Sequence, residues 1–195
     1  MRCFIAICIP DVIKESLFEL QKRLKSPDIS GAKISWTRLE SFHLTLKFLG
    51  ELGEQATSRV ATAVEKSVEG ISPFQVHVQG VSVFPNPSAP QILWAGIADP
   101  VGKLKELQHR VDQVTDTLGF PSERRKFTPH LTLGRVRFLR ESEEVNRRMG
   151  ENREIQMDPF QVREVCLMQS ILWPEGSEYR TIQVLPLREE QNHGQ

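Results

Sequence analysis

Apolar residues in the first half of the chain follow two spacings, one helical and one extended. The compact apolar run from Arg2 to Ile9, closed by Pro10, predicts a strand covered on both faces. From Asp11 onward apolar residues recur every three or four positions, which predicts an amphipathic helix, and a second helix is expected over Glu54 to Glu69. Short apolar or alternating stretches predict further strands at Ile34 to Thr37, His43 to Leu49 and Phe74 to Val78.

The second half of the chain repeats this mixture of helices and strands. A third helix is expected over Val101 to Leu118, and the charged stretch from Glu141 to Asn152 is expected to be a helical or mobile excursion. Strands are predicted at Ile92 to Ile97, His130 to Val136, Phe160 to Leu167 and Thr181 to Leu187. The pattern predicts one α+β domain of two similar lobes over 1–188, followed by a polar, disordered tail over 189–195.

The tetrapeptide His-Leu-Thr-Leu occurs twice, at 43–46 and at 130–133. Successive side chains of a strand point to opposite faces, so each copy presents its histidine and threonine on one face and its leucines on the other. Regular alternation predicts a cleft face with His43, Thr45, Lys47, His130 and Thr132, and a core face with Leu44, Leu46, Phe48, Leu131 and Leu133. One copy alone would be a weak signal, because short matches arise by chance, whereas an identical second copy around a rare histidine favours a functional pair.

Two such faces brought together provide the groups that a phosphodiester reaction needs. With an ordinary pKa of about 6.5, one imidazole can take a proton from water near neutral pH while the other gives a proton to the leaving oxygen. Threonine hydroxyls can hold the non-bridging phosphate oxygens. This arrangement requires neither a metal nor a cofactor, and we expect none.

Composition and charge narrow the class of protein further. The chain has 195 residues, enough for a core, and its 25 basic and 25 acidic side chains cancel. The chain therefore lacks the overall positive charge that would predict binding to a long, wrapped nucleic acid. Binding to a single RNA terminus remains compatible with this charge balance. Cys3, Cys8 and Cys166 have no C-x-x-C spacing and are expected as reduced, partly buried thiols. The early apolar run is too short for a signal peptide or a membrane span, so we expect a cytoplasmic protein that does not enter a membrane.

Longer stretches around both motifs resemble one known family. They are Arg2-Cys3-Phe4-Ile5-Ala6, Trp36, Phe42 to Gly50, Phe84-Pro85, Ile92 to Gly96, Phe127 to Arg135, Ser170-x-Leu172, Gly176 and Tyr179. With these flanks the chain resembles the two-histidine (2H) phosphoesterases, most closely the RNA 2',3'-cyclic phosphodiesterases of the LigT type. The resemblance implies two pseudo-symmetric lobes, each an antiparallel sheet with helices on its outer side, which face each other across a cleft that holds both motifs.

The resemblance also implies a reaction and a role for each motif residue. The enzyme would be a hydrolase that opens a 2',3'-cyclic phosphate at an RNA end, with tRNA fragments among the candidate partners, and leaves a 2'-phosphate; we expect a monomer. His43 would be the proton donor to the departing 3'-oxygen, and His130 the proton acceptor that activates water. Thr45 and Thr132 would orient and stabilise the phosphate.

Two further residues are candidates for substrate binding. Arg135 matches the arginine that commonly follows the second motif of the family. Strict alternation nevertheless puts Arg135 on the leucine face, so it needs a bulge or a strand end to reach the cleft, and a surface charge is the equal alternative. Lys47 shares the predicted catalytic face and could attract phosphate, although a lysine on a strand is more often a solvated end.

The remaining signals are weaker. Trp36, Phe42 and Trp94 could stack a base, but a core role is favoured for each. The cluster Arg124, Arg125 and Lys126 could steer an RNA backbone or be merely solvated. His77 is expected at the surface, and neither His77 nor His109 is given a function.

Three other functions stay open at this point. The same site could serve a 2'-5' RNA ligase, because joining is the reverse chemistry with a 5'-hydroxyl in place of water. It could also serve a phosphodiesterase for 2'-5'-linked oligonucleotides or cyclic nucleotides. A module that grips RNA ends without turning them over is disfavoured, because both histidines and both threonines are present.

Overall fold

The computed structural model describes residues 1–123, 125–173 and 176–188. The elements follow one another in the order β1 (Arg2–Cys8), α1 (Asp11–Lys25), β2 (Ala32–Trp36), β3 (His43–Glu51), α2 (Glu54–Val68), β4 (Phe74–Phe84), β5 (Ile92–Ala98), α3 (Lys103–Thr117), β6 (His130–Leu139), α4 (Glu143–Glu151), β7 (Phe160–Val162), β8 (Glu164–Trp173) and β9 (Gly176–Pro186). A short 3-10 turn, Leu39–Ser41, leads into β3.

The strands form two antiparallel sheets. The first has the strand order β3-β1-β8-β9 and the second the order β2-β6-β5-β4-β7. The motif strands occupy equivalent places, since β3 pairs with β1 in the first sheet and β6 pairs with β5 in the second. The prediction of an α+β fold with two similar antiparallel lobes is therefore confirmed.

The helices arise where the sequence predicted them. In α1, Ile13, Leu17, Leu20 and Leu24 form one buried stripe, which is the amphipathic pattern of a helix packed against a sheet. The helix expected over Val101 to Leu118 covers Lys103–Thr117, and the charged excursion contains α4. The strand predicted over Phe160 to Leu167 is divided into β7 and β8 at Arg163. Within the described residues no helix is long and apolar enough to cross a membrane.

Each motif strand carries a one-residue bulge directly after its threonine. The pairing of β1 with β3 passes over Leu46, and the pairing of β5 with β6 passes over Leu133. Such a bulge puts two consecutive side chains on one face and reverses the alternation beyond it. Leu46 and Lys47 are consequently both buried, as are Leu133 and Gly134. A Cβ on Gly134 would lie 2.9 Å from Cγ2 of Ile34, so the second bulge has no room for a side chain there.

The bulges overturn two predictions based on regular alternation. Phe48, expected in the core, is 59% exposed, and Lys47, expected to face the cleft beside His43, is only 2% exposed. Both predictions were wrong because Leu46 takes an extra position in the strand. The same irregularity in β6 brings Arg135 to the exposed face that carries His130. A bulge of this kind was the condition for a cleft position of this arginine.

Buried polar side chains from the helices hold both bulges. Lys47 Nζ donates hydrogen bonds to Asp112 Oδ1 at 2.6 Å and to the Pro121 carbonyl oxygen at 2.5 Å. In the other sheet, Gln21 Nε2 donates to the carbonyl oxygen of Leu133 at 2.6 Å. Gln21 lies on α1, which follows a strand of the first sheet, and Asp112 lies on α3, which follows a strand of the second. Each of these helices therefore follows a strand of one sheet and fixes the motif strand of the other sheet.

Removing the carboxylate of Asp112 should destabilise the fold because it leaves the Lys47 ammonium buried without its counter-charge. The Lys47 side chain is 1% exposed and that of Asp112 is 14% exposed. We expect Asp112→Ala to lower the free energy of unfolding by about 3 kcal/mol or more, measured by denaturant unfolding. Asp11→Ala is the matched control, since it removes a carboxylate that is 89% exposed in its pair with Lys14, and it should cost less than about 1 kcal/mol. Equal losses in the two variants would contradict this account.

Candidate active site

His43 begins β3 and is fixed by the backbone just before it. Its Nδ1 lies 2.8 Å from the Ser41 carbonyl oxygen. The ring packs at 4.8 Å from the centroid of Phe4 on β1 and edge-on at 4.7 Å from that of Tyr179 on β9. One hydrogen bond and two aromatic rings therefore set the position of this imidazole.

His130 begins β6 and is fixed in the same way. Its Nδ1 lies 2.7 Å from the Thr128 carbonyl oxygen, again two residues earlier in the chain. Phe84 and Trp94 stack on each other at 4.7 Å, and they approach the His130 ring edge-on at 5.1 Å and 5.9 Å. The second lobe thus repeats the hydrogen bond of the first and supplies a different pair of rings.

The shared hydrogen bond fixes the tautomer of both imidazoles. A carbonyl oxygen can only accept, so Nδ1 must carry the proton in His43 and in His130. Nε2 is then the nitrogen that exchanges a proton with a ligand. Each ring can act as a base when neutral and as an acid when protonated.

Both imidazoles are neutral at pH 7 in the ligand-free protein. Burial lowers the pKa of His43 to about 4, and the bond to the Ser41 carbonyl opposes this in part. The positive charge of Arg135, and that of His130 when it is protonated, lower the pKa further. Burial also lowers the pKa of His130, and Arg135 adds to that effect. Because the charge of Arg135 acts on both rings, its guanidinium lies within electrostatic reach of both histidines, and a bound anion would raise both pKa values.

The threonines of the two motifs lie beside their histidines. Thr45 and Thr132 are half-buried, and the pairing of their strands is regular between each histidine and its threonine, so both hydroxyls share the histidine face. Neither hydroxyl has a hydrogen-bond partner among the described residues. The backbone under Thr132 is fixed, because Thr37 Oγ1 donates to its carbonyl oxygen at 2.8 Å.

The structure gathers most, but not all, of the residues that the sequence singled out. His43, His130, Thr45, Thr132 and Arg135 lie on the two motif faces that share this cleft. Lys47 does not, since its ammonium is engaged on the opposite side of β3.

The aromatic candidates separate into core and site residues. Phe42 is buried in the main core and Trp36 packs against it, which confirms the favoured core role for both. Trp94 is different, because it is half-buried against His130 and its indole Nε1 is buried without a hydrogen-bond partner within the described residues. The favoured core role was therefore wrong for Trp94.

Three aromatic residues near the histidines had no role in the sequence prediction. Phe4 and Tyr179 pack against His43, and Phe84 packs against His130. These residues come from strands far from the motifs in the sequence, so no local pattern links them to the histidines. Only the family resemblance included them, as unassigned flanking positions.

The other candidates lie away from the cleft chemistry or outside the described part of the chain. Of the basic loop, Arg125 and Lys126 are exposed, while Arg124 and the tail 189–195 fall outside the described residues. His109 is exposed on α3, and His77, predicted at the surface, is half-buried on β4. Among the described residues no three histidine, cysteine or acidic side chains lie close enough together to hold a metal ion.

The three cysteines are free thiols, as the sequence predicted. Cys3 and Cys166 are buried and Cys8 is half-buried. The Sγ atoms of Cys8 and Cys166 lie 2.9 Å apart in the small apolar cluster that also contains Phe4 and Tyr179. This cluster lies under His43.

Known proteins share both the sequence and the fold. Residues 18–171 match the model of the 2'-5' RNA ligase superfamily. The chain is 32% identical over 187 residues to the RNA 2',3'-cyclic phosphodiesterase of Methanothermobacter thermautotrophicus, covering 96% of this chain and 99% of that protein. It is 34% identical over 184 residues to the protein of the same name from Archaeoglobus fulgidus, covering 94% and 99%.

Solved structures give the same fold. The crystal structure of a Thermus thermophilus protein matches with a TM-score of 0.79 and 24% identity, covering 97% of this chain and 100% of that one. Escherichia coli LigT complexed with 3'-AMP matches with a TM-score of 0.74 and 20% identity, covering 95% and 97%. The chain thus has the two-lobed LigT-like fold with one fixed histidine in each lobe, and its sequence relatives cover nearly its whole length. This protein belongs to the 2'-5' RNA ligase superfamily of two-histidine phosphoesterases.

Proposed function

We propose that this protein hydrolyses 2',3'-cyclic phosphates at RNA ends to 2'-phosphates by general acid–base catalysis without a metal ion. The observation that carries the proposal is the matched pair of imidazoles, each held through Nδ1 by a backbone carbonyl and each accompanied by a threonine hydroxyl on the same face. Relatives over nearly the full length of the chain are named for this activity. Arg135 adds a positive charge where an anionic phosphate would lie.

The proposed mechanism gives the two histidines different roles. His130 Nε2 takes a proton from water, and the water oxygen forms a bond to phosphorus. The bond from phosphorus to the 3'-oxygen breaks, and His43 Nε2 gives its proton to that oxygen. The hydroxyls of Thr45 and Thr132 and the guanidinium of Arg135 stabilise the charge on the non-bridging oxygens. The product is a 2'-phosphate beside a free 3'-hydroxyl.

The substrate itself supplies the protonation state that this mechanism needs. In the ligand-free site burial keeps both imidazoles neutral. A cyclic phosphate carries one negative charge, which favours the imidazolium form and offsets the positive charge of Arg135. Binding therefore promotes protonation of one histidine, and we assign that proton to His43.

Joining of RNA ends is the second candidate, and the superfamily that the chain matches is named for it. A 5'-hydroxyl in place of water would attack the same phosphorus, the same 3'-oxygen would leave, and a 2'-5' linkage would form. A 2'-5'-linked oligonucleotide would be cleaved by the reverse step. Product analysis separates these reactions, because only hydrolysis leaves a 2'-phosphate without consuming a second RNA end.

The first test identifies the product. An RNA oligonucleotide with a 2',3'-cyclic phosphate end, incubated with purified protein and a chelator such as EDTA, should yield only the 2'-phosphate, as measured by mass spectrometry and resistance to a 3'-specific phosphatase. Loss of turnover with chelator would contradict the metal-free mechanism. A 3'-phosphate product would contradict the assigned leaving oxygen.

The second test removes each proton-transfer group in turn. His43→Ala and His130→Ala should each lower kcat at least about a hundredfold, because loss of a positioned general acid or base has effects of this size. His109→Ala is the control, since His109 is exposed on α3, and it should keep the wild-type rate. A near wild-type rate in either motif variant would refute the assignment.

The third test uses the charge of Arg135, which lowers the pKa of both histidines. The pH profile of kcat/KM reports the free enzyme, and burial lowers the pKa of both histidines, so both limbs should lie below the ordinary histidine value of about 6.5. Arg135→Ala removes the charge that disfavours imidazolium, so both limbs should move to higher pH. Arg135→Lys keeps the charge and should keep the limbs, while its loss of two-pronged phosphate contact raises KM. An unchanged pH profile in Arg135→Ala would contradict the proposed effect of the Arg135 charge on the pKa values of the two histidines.

A further inference from the structure

A groove of about 320 Å³ lies along the far half of β6. One wall is formed by residues 88–91, which connect β4 to β5, and the other by residues 136–139 of β6 together with Arg140. We call this depression the upstream groove. It starts next to Arg135, on the same strand that carries His130 and Thr132.

The strand pairing explains why the groove exists. The first residue of β5, Ile92, pairs with Arg135, and the neighbouring backbone contact is the bond from the Val136 amide to the Gln91 carbonyl at 2.9 Å. Beyond this point β6 continues as a two-stranded ribbon with β2 and separates from the β4–β5 connection. The opening lies where the pairing of β5 with β6 ends, on the strand that carries the second motif.

The groove is lined by cations and an aromatic ring. Arg137 and Arg140 line it together with Phe138, which is 62% exposed, and none of the lining residues is acidic. Ser35 pairs with Arg135 across β2 and β6, and its Oγ accepts a hydrogen bond from Arg137 Nε at 3.0 Å. Within the described part of the chain, Arg137 and Arg140 make no ion pair with a carboxylate.

These groups match the chemistry of a single-stranded RNA. Exposed aromatic rings stack bases and arginines neutralise phosphates in single-strand binding sites. Arg135 and Arg137 put two positive charges within three residues of β6, and the pairing of β2 with β6 passes over Arg137. The whole chain has a net charge of 0, so this positive strip is a local feature and not a reflection of overall basicity.

Resting on the proposed function, we propose that the upstream groove binds the nucleotides that precede the terminal cyclic phosphate. Arg137 and Arg140 bind backbone phosphates, and Phe138 stacks one base. The substrate class is therefore an RNA oligonucleotide whose 3' end reaches the cleft, and a nucleoside 2',3'-cyclic phosphate alone fills only the catalytic part of the site.

The experiment compares two substrates with the full-length protein. One is a nucleoside 2',3'-cyclic phosphate and the other an RNA hexanucleotide with the same terminal nucleotide. Wild-type protein should show a higher kcat/KM on the hexanucleotide. Phe138→Ala should lower the hexanucleotide kcat/KM about tenfold, as loss of one stacked base does, and leave the mononucleotide value unchanged.

The arginines are tested through salt dependence. The double variant Arg137→Gln, Arg140→Gln should lower the hexanucleotide kcat/KM and flatten its logarithmic dependence on salt by about 0.7 for each lost phosphate contact. Arg163→Gln is the matched control, because Arg163 is exposed between β7 and β8, beyond the opposite edge of the second sheet. It should leave both the rate and the salt dependence at the wild-type values.

The outcomes separate this inference from the proposed function. Equal kcat/KM of wild type on the two substrates, or equal losses on both substrates in the groove variants, would overturn the upstream groove and leave the catalytic proposal intact. Wild-type protein that hydrolyses neither substrate would overturn the proposed function and this inference with it. Variants that bind and turn over the hexanucleotide like wild type would overturn the inference alone.

Discussion

The bulge directly after the threonine of each His-Leu-Thr-Leu motif is the constraint on which the rest of the site depends. A regular strand would carry Lys47 and Gly134 to the cleft and turn Phe48 and Arg135 inward. The extra residue instead buries two consecutive side chains and returns the following one to the histidine face. In β6 one short strand segment therefore presents His130, Thr132 and Arg135, whereas in β3 the position beyond the bulge is the exposed Phe48.

Buried polar contacts hold both bulges in place. A bulge leaves backbone groups unpaired, and in the interior such groups must find partners. Gln21 on α1 donates to the Leu133 carbonyl oxygen, which also accepts from the Thr37 amide, and Asp112 on α3 pairs with Lys47. The buried polar contacts that stabilise the two motif strands therefore lie only a few residues from each histidine.

Much of this arrangement could be predicted from the sequence, because helices and regular strands have a period that apolar residues display directly. The stripe of α1 and the His-x-Thr faces are examples. The bulge could not be predicted, since Leu46, Lys47 and Phe48 fit an alternating pattern equally well whether or not one residue is inserted. Arg135 was the exception, because only an irregular strand reconciled its pattern with a place in the cleft. The aromatic neighbours of the histidines were missed because they are brought there by sheet order alone.

The two lobes share a scaffold but not a charge distribution. The position five residues after the motif histidine is Phe48 in one lobe and Arg135 in the other. Both histidines pack against aromatic rings, and burial lowers the pKa of His43 to about 4. An imidazole with a low pKa is a strong acid once it is protonated, and a departing ribose oxygen is a poor leaving group that needs such an acid. Desolvation of His43 therefore supports its assignment as proton donor. The cost of protonating it is offset only when an anionic phosphate occupies the cleft, which couples acid strength to the presence of substrate.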